Sequence, residues 1–247
     1  MHGIIVGRKP VMEALRAGTR IERVVFLLGV QGHVIEDIRR AAQESKVPVV
    51  QATRQQFREL ATDATTQGVV AIVPAVRSFV GVEEIIASAE TKGEKGLILI
   101  LDEIEDPQNL GALVRSAECC AVHGVVIPKH HAASVTSSVI KASAGATEHM
   151  MMAEVTNVVS TIEQLKKAGY WTVGLASEGQ KSFSEIDFTA PSAIVVGNEG
   201  KGIRRLVREH CDHLVRIPMY GRLDSFNASV AGALVMYEAA RQRHKSP

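Results

Sequence analysis

"LILILDEIEDPQNLGALVRSAECCAVHGVVIPK", Leu97 to Lys129, decides the fold. It begins and ends on runs that are apolar at nearly every position, "LILIL" and "VVI", with a segment of helical length between them. A strand with one wet face alternates apolar and polar residues. A strand apolar throughout is covered on both faces, which is how strands read in a parallel sheet lined by helices. Parallel neighbours also need a long crossover, and "NLGALVRSAECCAV" supplies one. The alternation continues through a helical region around "SSVIKASAGA", then "HMMMAEV", "TIEQLKKAG", "WTVGLA", "SAIVVGNEG", "IRRLVREHC", "HLVRIPM" and a final helix. Residues 97–247 therefore predict an α/β domain built on a parallel sheet.

Upstream lies a smaller series. "GRKPVMEALRAG" predicts a helix with Pro10 near its first turn and Gly18 as its stop, and "IERVVFLL" a strand. "GHVIEDIRRAAQESK" places Val34, Ile35, Ile38, Ala41 and Ala42 on one helical stripe. "VPVVQA", then "TRQQFRELA" with Thr53 as cap, then "GVVAIVP" complete a small α/β domain over residues 1–74. Residues 75–96 mix a short amphipathic turn with Gly and Lys and are expected to connect the two bodies.

The formal charge is +1, from 28 Lys plus Arg against 27 Asp plus Glu, which neither demands nor excludes a polyanionic partner. Residues 1–74 hold ten basic and seven acidic side chains, and Arg8, Lys9, Arg16, Arg20 and Arg23 are the candidates there for contact with a nucleic-acid backbone. Cys119, Cys120 and Cys211 are odd in number and two are adjacent, which predicts a reducing compartment. The N-terminus lacks the apolar core of a signal peptide, and no run reaches the roughly 18 apolar residues of a membrane span. A soluble cytoplasmic protein is expected. Cys119-Cys120-x-x-His123 and Cys211-x-His213 lack a zinc spacing, so no metal is expected and the paired cysteines are assigned to helix packing.

In an open α/β sheet, ligands lie beyond the carboxyl ends of the strands. After "LILIL" come Asn109, read as a helix cap, and Gly111, read as clearing backbone space beside Arg115 at i,i+4. "VVGNEGKG" gathers Gly197, Gly200 and Gly202 around Asn198 and Glu199, a turn that exposes backbone amides. It matches neither the dinucleotide fingerprint nor the phosphate-binding Gly-Lys-Ser/Thr loop, which disfavours a nicotinamide-dependent dehydrogenase. "IPMYGRLDSFNASVAGAL" sets Ser225 and Asn227 before a helix narrowed by Ala228, Ser229, Ala231, Gly232 and Ala233. One cap does not account for three polar residues, so a crevice or a closely threaded chain is expected.

"NLGALVRSAE", "AIVVGNEGKGIRRL" and "IPMYGRLDSFNASVAGAL" resemble, in order and spacing, the three motifs of the SpoU branch of the SPOUT RNA 2'-O-ribose methyltransferases, over almost all of residues 97–243. "HGIIVGRKPVMEALRAG" resembles the start of the small substrate-binding domain of the ribosomal RNA members, which is related in fold to RNA-binding ribosomal proteins. The resemblance implies a trefoil knot at the C-terminal end of the parallel-sheet domain, S-adenosyl-L-methionine bound in bent form in the knotted loops, and a homodimer. It carries the catalytic roles to Asn109, Arg115, Glu199, Ser225 and Asn227, and cofactor contacts to Leu175, Gly197, Ile217, Met219 and Phe226. Many relatives have leucine at the place of Phe226, and many ribosomal RNA enzymes have Ser or Ala at that of Asn198.

The implied reaction is in-line attack of a ribose 2'-oxygen on the sulfonium methyl group, without a metal. Arg115 serves either as base or as a clamp on phosphate and developing alkoxide. The expected substrate is a guanosine in large-subunit ribosomal RNA. A transfer RNA 2'-O-methyltransferase and a non-catalytic RNA-binding ribosome-assembly protein are the alternatives.

Overall fold

The computed structural model describes residues 3–60, 66–73 and 79–244. The chain divides into two units, Met1–Ser78 and Phe79–Pro247.

In the first unit the elements run β1 (Gly3–Val6), α1 (Arg8–Arg16), β2 (Arg23–Leu27), α2 (His33–Glu44), β3 (Val49–Ala52), α3 (Arg54–Leu60) and β4 (Val69–Val73). The sheet order is β1-β4-β2-β3, with β4 antiparallel to both neighbours and β2 parallel to β3. β1 has only four residues at an edge, too few to show a period in the sequence. Gly18 at φ +68 ends α1, and Thr53 and Gln56 cap α3 reciprocally through side chain and backbone. Ile35, Ile38 and Ala42 are buried as predicted, whereas Val34 is 44% exposed and outside the stripe. Pro74, the predicted end of this domain, lies outside the described residues.

The second unit begins with α4 (Val82–Thr91), within the stretch read as a connection. Its Val82, Ile85 and Ala89 are buried, and Ile85 sits on Gly124, where a Cβ would meet it at 2.6 Å. Such i, i+3, i+7 spacing is the stripe of a packed helix. The elements continue with β5 (Leu97–Asp102), α5 (Pro107–Cys119), β6 (Gly124–Pro128), α6 (Ser137–Ala142), β7 (Met152–Val155), α7 (Val158–Lys167), β8 (Trp171–Leu175) and β9 (Lys181–Ser182). They end with β10 (Ser192–Gly197), α8 (Arg205–His210), β11 (His213–Arg216) and α9 (Ala228–Arg243).

The sheet order is β7-β6-β5-β10-β8-β11-β9, and every pairing is parallel. All six residues of β5 are buried, so the opening run of the decisive stretch is a central strand. Leu97, Leu99 and Leu101 share one core with α5 and α9, while Ile98 and Ile100 share the other with α4 and α7. Each such side chain contributes about 1.5–3 kcal/mol by leaving water. The parallel sheet covered on both faces stands as predicted.

α9 fits closely against this body. A Cβ on Gly232 would lie 2.5 Å from Leu113 and 3.3 Å from Val196, so the small residues serve close packing on α5 and β10. At its far end Arg243 donates to the carbonyls of Phe188, Ala190 and Gly96 at 2.7, 2.8 and 3.2 Å, and also to that of Lys95. The helix is thus pinned to the segments that enter β10 and β5.

Candidate active site

Two adjacent strand ends are tied together first. Asp102, fully buried at the end of β5, accepts from the Arg204 backbone N–H and Nε, each at 2.8 Å. Next to it the Glu103 carbonyl accepts Asn198 Nδ2 at 3.1 Å. Asn198 Oδ1 in turn accepts the amides of Gly200 and Lys201, and the backbones of Asn198 and Gly202 bond reciprocally at 3.1 and 2.8 Å. Asn198 therefore shapes the turn after β10, a role its composition alone did not disclose. Gly197 cannot carry a side chain, because a Cβ there would stand 2.2 Å from the Gly202 carbonyl carbon.

The helices add a chain of amides. α5 is capped by Asp106, whose carboxylate accepts Gln108 N at 3.0 Å, with Pro107 at the first helical position. The cap is thus three residues earlier than Asn109, which corrects the reading of Asn109 as cap and leaves its side chain free to bridge. Asn227 is the true cap of α9: its Oδ1 accepts Ser229 N at 2.9 Å and the Ser229 hydroxyl at 2.6 Å. With that oxygen committed, Asn227 Nδ2 donates to Asn109 Oδ1 at 3.0 Å, and Asn109 Nδ2 donates to the Glu199 carboxylate. Three segments far apart in sequence meet in one hydrogen-bonded row.

Glu199 also borders a cleft of about 630 Å³ beyond the carboxyl ends of β8, β10 and β11, within the range of small-molecule sites at about 300–1,000 Å³. Leu175, Gly197, Ile217, Met219, Ser225 and Phe226 border the same space. The cleft thus gathers all five predicted cofactor residues and two of the five predicted catalytic ones. Asn109 and Asn227 reach it through Glu199. Arg115 is not among its lining residues and lies on the exposed side of α5. Six residues separate it from Asn109, which on a helix is about 9 Å of rise and about 120° of rotation. Gly111 does not clear space for a ligand, since a Cβ there would be 2.4 Å from Ala142 and α6 fills the place.

Glu178 and Arg208 also line the cleft and were absent from the predicted set. The charged "SEG" after β8 was the signal available for the first; nothing in "IRRLVREH" singled out the second. Cys120 is buried, but Cys119 is exposed, which corrects the assignment of both to helix packing. His123 is held by Leu97 N–H at 3.1 Å and Glu94 at 2.9 Å, and burial lowers its pKa. Among the described residues no three His, Cys, Asp or Glu side chains gather as a metal site.

Comparison with known proteins bears on this cleft. Residues 96–237 match the model of the SpoU rRNA methylase family, and residues 4–79 match that of the RNA 2'-O ribose methyltransferase substrate-binding domain. The chain belongs to the SpoU methylase family. It is 37% identical to Bacillus subtilis (strain 168) YacO, assigned to the TrmH family of tRNA/rRNA methyltransferases, over 98% of this chain and 97% of that one. Among solved structures it is similar to the SpoU methyltransferase AviRb from Streptomyces viridochromogenes in complex with S-adenosylmethionine. That likeness has a TM-score of 0.65 and 25% identity over 99% of this chain and 92% of AviRb. A tRNA-modifying TrmH/SpoU enzyme of A. aeolicus is 28% identical, with a TM-score of 0.57, over 66% of this chain and 84% of its own.

As a SpoU methylase the protein is an RNA methyltransferase, and its cofactor is S-adenosylmethionine. The cleft suits that group on its own terms. Apolar Leu175, Ile217 and Phe226 line it, as suits a flat nucleoside, and the strand ends border it with backbone donors and acceptors.

Proposed function

We propose that this SpoU methylase methylates the ribose 2'-oxygen of a guanosine in large-subunit ribosomal RNA, with the cleft beyond β8, β10 and β11 as its cofactor site. The observation that carries the reading is the row Asn227–Asn109–Glu199, which fixes a carboxylate at the border of that cleft. Bound there, S-adenosylmethionine supplies a methyl group already activated on its sulfonium.

The protein's part is alignment and charge. Leu175, Ile217, Met219 and Phe226 wall the nucleoside, and Gly197 keeps the following turn tight against its strand. Asn109 holds one Glu199 oxygen, leaving the carboxylate oriented toward the ribose or an arginine. Ser225 offers its hydroxyl within the cleft, and Asn227 keeps the start of α9 in register with α5. The guanidinium of Arg115, exposed on α5 outside the lining of the cleft, offers a fork of N–H donors to an RNA phosphate.

A ribosomal substrate is supported by the SpoU rRNA methylase model matched over residues 96–237, and an RNA substrate by the substrate-binding domain matched over residues 4–79. In that unit Lys9, Arg16 and Arg23 are exposed, while Arg8 Nε donates to the Gln67 carbonyl at 3.1 Å. The reading includes a C-terminal trefoil knot and a homodimer. Support for the dimer comes from Val230, Leu234 and Tyr237 on α9, which are 44%, 38% and 67% exposed at i, i+4, i+7 spacing and form an apolar stripe. The free thiols of Cys119, Cys120 and Cys211 support a cytoplasmic setting.

A transfer RNA substrate is the second reading, favoured by the similarity to the A. aeolicus tRNA-modifying enzyme. Labelled S-adenosylmethionine, offered with deproteinised large-subunit RNA and with bulk tRNA, decides between them when the label is mapped at nucleotide resolution. Label on one ribose of the ribosomal RNA is expected. Label on tRNA alone reverses the substrate, and label on neither RNA removes the activity.

A further inference from the structure

One pair of opposite charges borders the cleft without a task in the reaction above. Glu178 lies on the loop after β8 and Arg208 in α8, and the guanidinium donates to Glu178 Oε1. Glu178 Oε2 accepts the Ser177 hydroxyl at 3.1 Å. Glu178's own backbone N–H, the Ser177 hydroxyl and Arg208 hold its carboxyl below the usual range, so it is ionised at neutral pH.

The loop that carries Glu178 is fixed from below. Gly179 lies so close to β11 that a Cβ would be 2.5 Å from the Val215 carbonyl carbon. Arg216 donates to the carbonyls of Gly179 and Gln180 at 2.7 and 2.8 Å. Folding stability does not account for the ion pair, because its side chains are 50% and 36% exposed and such pairs contribute little. Among the other charges at the cleft, Glu199 is engaged with Asn109 and Arg216 with the two carbonyls, while Lys201 and Asp224 border it without being paired to each other as Glu178 and Arg208 are. Glu178 and Arg208 retain capacity, since a guanidinium has five N–H donors and a carboxylate about four acceptor positions.

We propose that Glu178 and Arg208 form the subsite for the amino-acid end of the cofactor, Glu178 taking the α-ammonium and Arg208 the α-carboxylate. The two ligand charges sit on one carbon and match a plus–minus pair already in contact, so the four charges alternate in sign. The pair also sets a chemical filter: a nucleoside without the zwitterion leaves it unanswered. The inference rests on the cleft being the cofactor site.

Calorimetric titration of the full chain tests it with two probes. S-adenosylhomocysteine carries the zwitterion, and methylthioadenosine carries the nucleoside and thioether without it. Glu178→Gln and Arg208→Met are each expected to weaken S-adenosylhomocysteine by about tenfold or more, as loss of a charge-assisted contact does, with methylthioadenosine unchanged within about twofold. The unchanged probe also shows that the variant is folded. Phe226→Ala is the reference and is expected to weaken both probes. If it does so while the two charge variants weaken both probes alike, or neither, the subsite is overturned. If all three variants leave both probes unchanged, the cleft itself is not the cofactor site and both readings fall.

Discussion

Asn227 donates its side-chain amide to Asn109 Oδ1 at 3.0 Å, joining the cap of the last helix to the first turn of α5 across 118 residues of chain. Asn109 passes the contact on to Glu199. Asn109→Asp keeps the acceptor for Asn227 but replaces the donor to Glu199 with a second carboxylate. The aspartate variant is expected to lose about 1–3 kcal/mol in urea unfolding, and adding Glu199→Gln is expected to recover part of that loss, because the repulsion between the two carboxylates is then removed. A double variant no more stable than Asn109→Asp alone would show that the Glu199 contact does not exist in solution.

Close packing at Gly232 predicts a non-additive pair. Gly232→Val is expected to cost about 1–3 kcal/mol by overpacking against Leu113. Leu113→Ala opens the space the new methyl groups need, so the double variant should be more stable than the sum of the single losses allows, by about 0.5–3 kcal/mol. Simple additivity in thermal or urea unfolding would place α9 elsewhere.

The thiols should separate by exposure and charge. Cys119 is exposed, while burial pushes the half-buried Cys211 up to about 12 and raises the buried Cys120. One equivalent of a disulfide reagent is expected to react promptly at neutral pH, and Cys119→Ser abolishes that phase. Prompt labelling of Cys211 in the folded protein would contradict its packing behind β8.

His123 gives the stability a pH slope. Burial depresses its folded pKa, while Nδ1 accepts Leu97 N–H and so needs the neutral ring. The unfolded chain therefore binds a proton more readily, so stability is full above the ordinary value of about 6.5 and falls as pH drops below it. Unfolding midpoints measured between about pH 7.5 and 5 should decline, and His123→Gln should flatten that slope. An unaltered slope in the variant assigns it to other groups.

Much of this was legible where the sequence is redundant. Leu97 to Leu101 announced a strand buried on both faces, because five consecutive apolar residues leave no wet face. The strand-end rule pointed to the loops, the family resemblance named Leu175, Gly197, Ile217, Met219 and Phe226 within them, and the parallel topology brings those residues to one cleft. Asn109 was harder. Its side chain fits a cap as well as a bridge, and only the position of Asp106 and Pro107 settles which. Gly111 misled because an absent Cβ reads the same beside a ligand as beneath a packed helix. Glu178 and Arg208 meet across thirty residues that include β9 and β10, and Glu178 itself lies on a loop with no periodic pattern, so their contact belongs to tertiary structure alone.

The central claim is that the space beyond β8, β10 and β11 holds the cofactor beside Glu199. A crystal structure of the protein with S-adenosylhomocysteine measures this directly. The account predicts the adenosine among Leu175, Gly197, Ile217 and Met219, with the sulfur on the side of Glu199 and Ser225. Density for the ligand outside that space, or a sulfur remote from the Asn227–Asn109–Glu199 row, would contradict it.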